Sequence, residues 1–247
     1  MEISVLNQYY DRIVLLNLVE RPDKLKHATT ELNKNNITYD IYSAVKFPWS
    51  KHISCYMTLN DVGNFNYKTN PNEFSCALSH YNIIKKAYLD GINNLFVFED
   101  DICFHNDYTK YIKSYFENLP DDTDMIMLSG FICDPEFAVM KKQNDYWKIP
   151  KRMWYACSYG LNRKAMKLYL DLQDECFRQA DVPLYLMQEM DNVKCYCPNI
   201  PLIVQSKYLT SDLRETKNFE VIPNYYEQGL DYNDYFMYYG ISDNHEK

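Results

Sequence analysis

The chain has 247 residues, 47% of them hydrophobic and 24% charged, enough for one well-cored α/β domain and too few for two comfortable ones. Its net charge of −8, with Lys and Arg scattered among acids, argues against nucleic acid as the main partner, because a polyanion needs a basic face. Six glycines and no G-x-G-x-x-G or Walker sequence rule out a glycine-rich phosphate cradle, so any phosphate must be held by metal, side chains or helix N-termini.

Arg12 to Leu18 is a short apolar run without helical periodicity and predicts a buried strand. Arg21-Pro22-Asp23 follows, with Pro where a helix begins, and Leu25, Ala28 and Leu32 predict one amphipathic helix ending near Asn36. Ile37 to Val45 is β-branched and aromatic and reads as a second strand. Between Lys46 and Asn72 the pattern dissolves into a long irregular loop, a length that usually serves function. Asn72 reads as the N-cap of a helix through Glu73, Ala77, His80, Ile84 and Ala87, closed near Gly91.

Asn94 to Phe98 is a third, buried strand that runs directly into Glu99-Asp100-Asp101. A helix from Tyr108 to Leu119 and a strand from Asp124 to Leu128 come next, and an apolar, aromatic strand is expected around Trp154 to Leu161. Asn162 caps a helix through Ala165, Leu168 and Leu172. A last helix begins near Asp181, with Pro183 in its first turn, and a strand spans Val193 to Cys197, with Pro201 to Gln205 beyond. The tail from Ser206 is polar and rich in Tyr. The expectation is a single α/β domain over 1–247, with a mostly parallel central sheet flanked by helices. Such sheets bind ligands at the carboxyl ends of their strands, and the acidic triplet falls at such an end.

No stretch approaches about 18 consecutive apolar residues, so no membrane span is expected. Met1 to Asp11 lacks a signal-like apolar run, which predicts a cytoplasmic protein. Eight cysteines fit that setting. Cys76, Cys103 and Cys157 lie in apolar segments and read as buried small hydrophobes, and Cys195-Tyr196-Cys197 lacks a second pair at zinc spacing. The 24 Tyr and 12 Phe suit sugar-binding surfaces but more often fill a core. Trp49, Trp147 and Trp154 are read the same way.

Side chains alternate along an extended strand, so Glu99 and Asp101 are expected to point one way and Asp100 the other. Two carboxylates on one face offer charged oxygens to a hard ion, Mg²⁺ or Mn²⁺, which keeps positions open for phosphate oxygens. The bland alternative is an acidic turn that ends a strand in solvent.

Six segments, taken in order, resemble glycosyltransferase family 25, which includes lipooligosaccharide and collagen hydroxylysine galactosyltransferases. Leu16 to Lys24 is similar to the family's opening Asn-Leu…Arg-x-Asp-Arg signature, with Lys24 in place of the usual Arg. Cys76-Ala77-Leu78-Ser79-His80 matches its Ala-Leu-Ser-His block, and Phe98 to Asp101 looks like its acidic motif, a variant of the Asp-x-Asp metal signature of GT-A folds. Tyr159 to Ala165, Asp181 with Leu184, and Gln205 with Ser211-Asp212 resemble later elements, and the resemblance spans about residues 12–213. It implies a GT-A-like (Rossmann-like) fold, a UDP-sugar donor with galactose first and glucose second, Mn²⁺ or Mg²⁺, and a glycan or hydroxylysine acceptor.

It also implies roles. Glu99 and Asp101 would be metal ligands. Asn17, Arg21, Ser79, His80 and Asp100 would serve the donor, with Arg21 near uracil, ribose or a phosphate and Asp100 near ribose hydroxyls. In an inverting displacement Asp181 would be the base, with Glu189 or Asp191 in reserve. Asp181 also reads as a plain N-cap, and His80 as a structural histidine. The nearest competing enzyme class is a nucleotidyltransferase, against which the absence of Gly from Leu18 to Lys24 counts. A non-catalytic binder of the same fold would be expected to have lost the acidic motif. The Tyr-rich tail, 214–247, is a candidate surface for a homodimer.

Overall fold

The computed structural model describes residues 3–46, 71–129, 131–132, 141–150, 153–154, 156–206, 209 and 212. The expected loop between Lys46 and Asn72, Trp49, Ser211 and the Tyr-rich tail therefore lie almost wholly outside the described residues.

A short helix, α1 (Val5–Tyr9), leads into β1 (Arg12–Asn17), α2 (Pro22–Lys34) and β2 (Asp40–Ser43). Next come α3 (Pro71–Leu89), β3 (Asn94–Phe98), β4 (Ile102–Phe104), α4 (Tyr108–Glu117) and β5 (Met125–Met127). The pairs β6 (Phe131–Ile132), β7 (Lys141–Lys142), β8 (Trp147–Ile149) and β9 (Met153–Trp154) are brief. The chain then forms β10 (Ser158–Asn162), α5 (Arg163–Glu175), α6 (Asp181–Gln188), β11 (Cys195–Pro198) and β12 (Ile203–Gln205).

The main sheet has the order β2-β1-β3-β10-β5-β11-β8-β7. Its register makes β2, β1, β3, β5, β11 and β7 point one way, with β10 and β8 running against them. The sheet is thus mixed, with a reversed strand at its centre. Strands β1 and β3 are buried on both faces, which is why they read as continuous apolar runs. Along β3, Leu95 and Val97 join a core with α3, α5 and α6, whereas Phe96 and Phe98 join one with α1, α2 and α4. The result is an α/β fold with helices on both faces. Among the described residues, no helix is long and apolar enough to cross a membrane.

Several expectations change in detail. The apolar stretch around Trp154 to Leu161 divides into β9 and β10, which belong to different sheets. Asn72 is not an N-cap: it lies inside α3, and its side-chain amide donates to the backbone oxygen of Asp212 at 2.9 Å. Asp181 is the first residue of α6 rather than its cap, the cap position being Ala180. Asn162 does cap α5, its side-chain oxygen accepting from the backbone N–H of Ala165 at 2.8 Å. Trp147 is fully buried and Trp154 stacks on Tyr185, so both serve packing.

Candidate active site

The carboxyl ends of β1 and β3 lie side by side and face the N-terminal turn of α2. β1 ends at Asn17, buried, whose side-chain amide donates to Asp100 Oδ2 at 2.7 Å and to the backbone oxygen of Arg21 at 3.2 Å. That amide fixes the first turn of α2 against the acidic motif. On α2 the buried positions are Lys24, Ala28 and Leu32, a spacing that puts all three on one face of a helix. An ammonium therefore sits on the inward stripe. Its Nζ lies 3.2 Å from Asp101 Oδ2, 3.5 Å from Asp100 Oδ1 and 3.1 Å from Asp212 Oδ2.

The acidic triplet does not follow strand alternation, because β3 stops at Phe98 and the next residues turn. Asp100 and Asp101 both reach Lys24, while Glu99 faces α3. Strand β12 pairs antiparallel with β4, setting Gln205 opposite Ile102, and the Gln205 amide donates to Asp101 Oδ2 at 2.8 Å. The other oxygen, Asp101 Oδ1, is buried and has no hydrogen-bond partner among the described residues. A buried carboxylate oxygen without a donor is costly, and it is one that a cation could take.

Burial disfavours the Lys24 charge, but Asp101, Asp100 and Asp212 outweigh that and hold its pKa above the ordinary lysine value. Burial pushes Asp100 up to about 6, against the pull of Lys24 and the Asn17 amide. Burial also works against a charged Glu99, but the His80 hydrogen bond and charge, with Lys24 behind them, keep its carboxyl below the usual range.

His80 is fully buried on α3. Its Nδ1 lies 2.8 Å from Tyr159 Oη and its Nε2 3.1 Å from Glu99 Oε1. The chain is complete when the tyrosine donates to Nδ1 and Nε2–H donates to the carboxylate, an assignment made from the partners. His80 thus orients Glu99 from behind. Ser79 donates to the Ser75 backbone oxygen at 2.7 Å and accepts from the Val45 N–H at 2.8 Å, tying the segment after β2 to α3.

Together these groups frame a cleft of about 280 Å³. Leu16, Leu18, Ala44 and Val45 supply apolar wall, and Glu99, Asp100, Asp101, Lys24 and Gln205 supply charge and polarity. Among the sequence-predicted residues, Ser79, Glu99, Asp100 and Asp101 line it, with Asn17 and His80 bracing them. Arg21 stands at the side. Its guanidinium meets Asp23 through two hydrogen bonds, at 3.0 and 2.7 Å, and pairs with Asp212. Asp181 is half-buried at the start of α6 and is not part of the lining, but after burial and Glu99 its charge helps to raise the thiol of Cys76, which is. Glu189, exposed at the other end of α6, is not part of the lining.

Three cleft residues carry weaker signals in the sequence. Lys24 is legible as a lysine on an apolar stripe, a position that demands a buried partner. Cys76 precedes His80 by one helical turn, and it is half-buried, packing against the core while also lining the cleft. Gln205 has no local signal beyond the terminal signature it shares with the resembled family.

Carboxylates following β3 and a buried lysine on α2 thus meet beside the carboxyl ends of β1 and β3, where open α/β sheets bind ligands. The chain belongs to glycosyltransferase family 25 (LPS biosynthesis protein), which it matches over residues 11–183. The family is one of glycosyltransferases, and it implies a nucleotide-sugar donor.

The chain is similar to a procollagen lysyl hydroxylase and glycosyltransferase of Acanthamoeba polyphaga mimivirus, with 23% identity over 176 residues. That stretch covers 65% of this chain and 19% of the relative, so the chain spans about a fifth of the relative's length. Among solved structures it is similar to a glycosyltransferase involved in the glycosylation of the major capsid of PBCV-1 (TM-score 0.45, 11% identity, 81% of this chain and 94% of that one). A second is 4-diphosphocytidyl-2C-methyl-D-erythritolsynthase from Anaerococcus prevotii (TM-score 0.38, 13% identity, 82% of this chain and 74% of that one).

Proposed function

We propose that this chain moves a hexose, galactose first and glucose second, from a UDP-sugar to a hydroxyl acceptor with inversion, assisted by Mn²⁺ or Mg²⁺. The observation that carries the reading is Asp101, whose buried Oδ1 has no donor among the described residues although its Oδ2 is held by Lys24 and Gln205. Glu99 and Asp101 would hold the ion. When bound, it would supply Lewis-acid stabilisation of the charge that builds on the departing diphosphate.

The chain's own residues do the rest. Lys24 offers a fixed positive charge beside the phosphates, and Asp100 accepts from ribose hydroxyls while Asn17 keeps it in place. Arg21 meets the nucleotide at the rim, exchanging its contact with Asp212. Asp181 takes the proton of the attacking hydroxyl; neither it nor Glu189 lines the cleft, and Asp181 is preferred because it is half-buried and its charge is felt at Cys76, which does. For the acceptor, the mimivirus relative's name points to hydroxylysine and the family description to a lipopolysaccharide glycan. Assaying a hydroxylysine-bearing collagen-like peptide beside a lipooligosaccharide separates the two.

The deciding experiment records nucleotide release from a panel of UDP- and GDP-sugars with Mn²⁺, beside Asp101→Ala. Metal-dependent release from one donor, absent in the variant, supports the reading and names the sugar. In parallel, UDP is expected to raise the melting temperature only when Mn²⁺ is present. Silence across the panel together with no such rise would end the proposal.

A further inference from the structure

Where the acidic motif meets α3, a second group of potential ligands converges. Cys76 and His80 are four residues apart on α3, so they project from one face of the helix. Glu99 approaches them from the end of β3, its Oε1 lying 3.1 Å from His80 Nε2 and 3.8 Å from Cys76 Sγ. All three ligand atoms fall within 4.8 Å of one another. A tetrahedral ion with bonds of about 2.0–2.3 Å holds such atoms about 3.3–3.6 Å apart. Two of the three pairs thus need to move by only a few tenths of an ångström.

We propose that Cys76, His80 and Glu99 form a three-ligand site for a borderline divalent ion of the zinc type, with its fourth position open to the cleft. Thiolate and imidazole select such an ion over Mg²⁺ or Mn²⁺, which prefer oxygen donors only. Cys76 and Glu99 both line the cleft, so the remaining position faces solvent or a substrate oxygen. The imidazole is already aimed. On binding, the ring takes the other tautomer: Nδ1–H donates to Tyr159 Oη, 2.8 Å away, as at a metal-bound histidine, and Nε2 offers its lone pair to the ion. Glu99, Asp181 and Asp101 place negative charge around the Cys76 sulfur, which favours an incoming cation. On binding, the thiol gives its proton to solvent and the sulfur becomes a ligand.

The site stands apart from the transfer reaction in its evidence, and only one consequence rests on the function proposed above. Glu99 would be shared between this site and the Glu99–Asp101 pair, so zinc and the hard ion exclude one another.

The test titrates Co²⁺ into the metal-free full-length chain and follows the near-ultraviolet thiolate-to-cobalt absorption. A band that saturates at one equivalent is expected, abolished in Cys76→Ser, kept in Cys103→Ser and removed by added Zn²⁺. Glu99→Gln is expected to weaken Co²⁺ binding tenfold or more. A band undiminished in Cys76→Ser, or no thiolate band in the wild type, overturns the proposal. Should Cys76→Ser fail to fold, maleimide labelling of the wild type decides. Zn²⁺ must slow modification of Cys76, and unchanged labelling overturns the site. Neither readout uses a sugar nucleotide, so its failure is distinct from failure of the transferase reading.

Discussion

Lys24 bears on Asp100, Asp101 and Asp212 together, and its surroundings leave it almost no contact with solvent. Removing one partner of a buried charge cluster leaves the others uncompensated, so Lys24→Met is expected to destabilise the fold by about 3–5 kcal/mol, read from urea unfolding. Mn²⁺ should recover part of that loss in the variant while changing the wild type less, since an added cation replaces the missing ammonium. Equal responses in the two proteins would mean that Asp101 does not take a cation. The residue types of the site were legible from the sequence, but their directions were not. Alternation would have set Asp100 against Glu99 and Asp101, and it fails because β3 ends one residue before the triplet begins. Lys24, seen only as a departure from a familial arginine, owes its importance to a helical face that sequence reading had otherwise identified correctly.

At the level of elements, two junctions hold the centre of the sheet. Asp124, just ahead of β5, accepts from Asn162 at the end of β10 (2.9 Å), from Lys164 on α5 (2.6 Å) and from the Lys194 N–H before β11 (3.0 Å). Burial opposes its charge, but Lys164, the Lys194 N–H and Asn162 prevail and hold its carboxyl below the ordinary range. A depressed folded pKa means stability that is present above the unfolded value, about 3.9, and lost as pH falls through the folded one. Asp124→Asn is therefore expected to cost about 1–3 kcal/mol near neutrality. It should also flatten part of the fall in urea midpoint below about pH 5.

The second junction is Gly160, in the reversed strand β10, where an added Cβ would stand 2.1 Å from Tyr10 Oη. Tyr10 is buried against Phe96, their ring centroids 5.0 Å apart, so it has little room to yield. Gly160→Ala should destabilise by about 1–3 kcal/mol, measured by thermal unfolding, and Tyr10→Phe should restore part of the loss. Long periodic elements such as α2, β3 and α5 declared themselves in sequence, whereas β4 and β6 to β9 did not. Strands of two or three residues contain no repeat to read, and they form only where a partner meets them, far along the chain for β4 and across a short hairpin for β7.

Across the whole molecule the sheet separates two apolar cores, one with Ile84 of α3 and the other with Ile112 of α4. Ile84→Val and Ile112→Val are each expected to cost about 0.5–1.5 kcal/mol. Because the two clusters do not mix, the double variant should equal their sum within about 0.5 kcal/mol. A larger discrepancy in a double-mutant cycle would show that the strands transmit packing from one face to the other.

The β4–β12 pairing and the contacts of Asp212 have a consequence for how the protein is made. Asp101 waits for Gln205, 104 residues later, and Arg21 for Asp212, 191 residues later. A ribosome has therefore delivered almost every other part of the cleft before these last polar partners emerge. Until then the nascent chain carries the acidic turn against Asn17, Lys24 and His80 only, so the cleft is finished only as translation reaches Gln205 and Asp212.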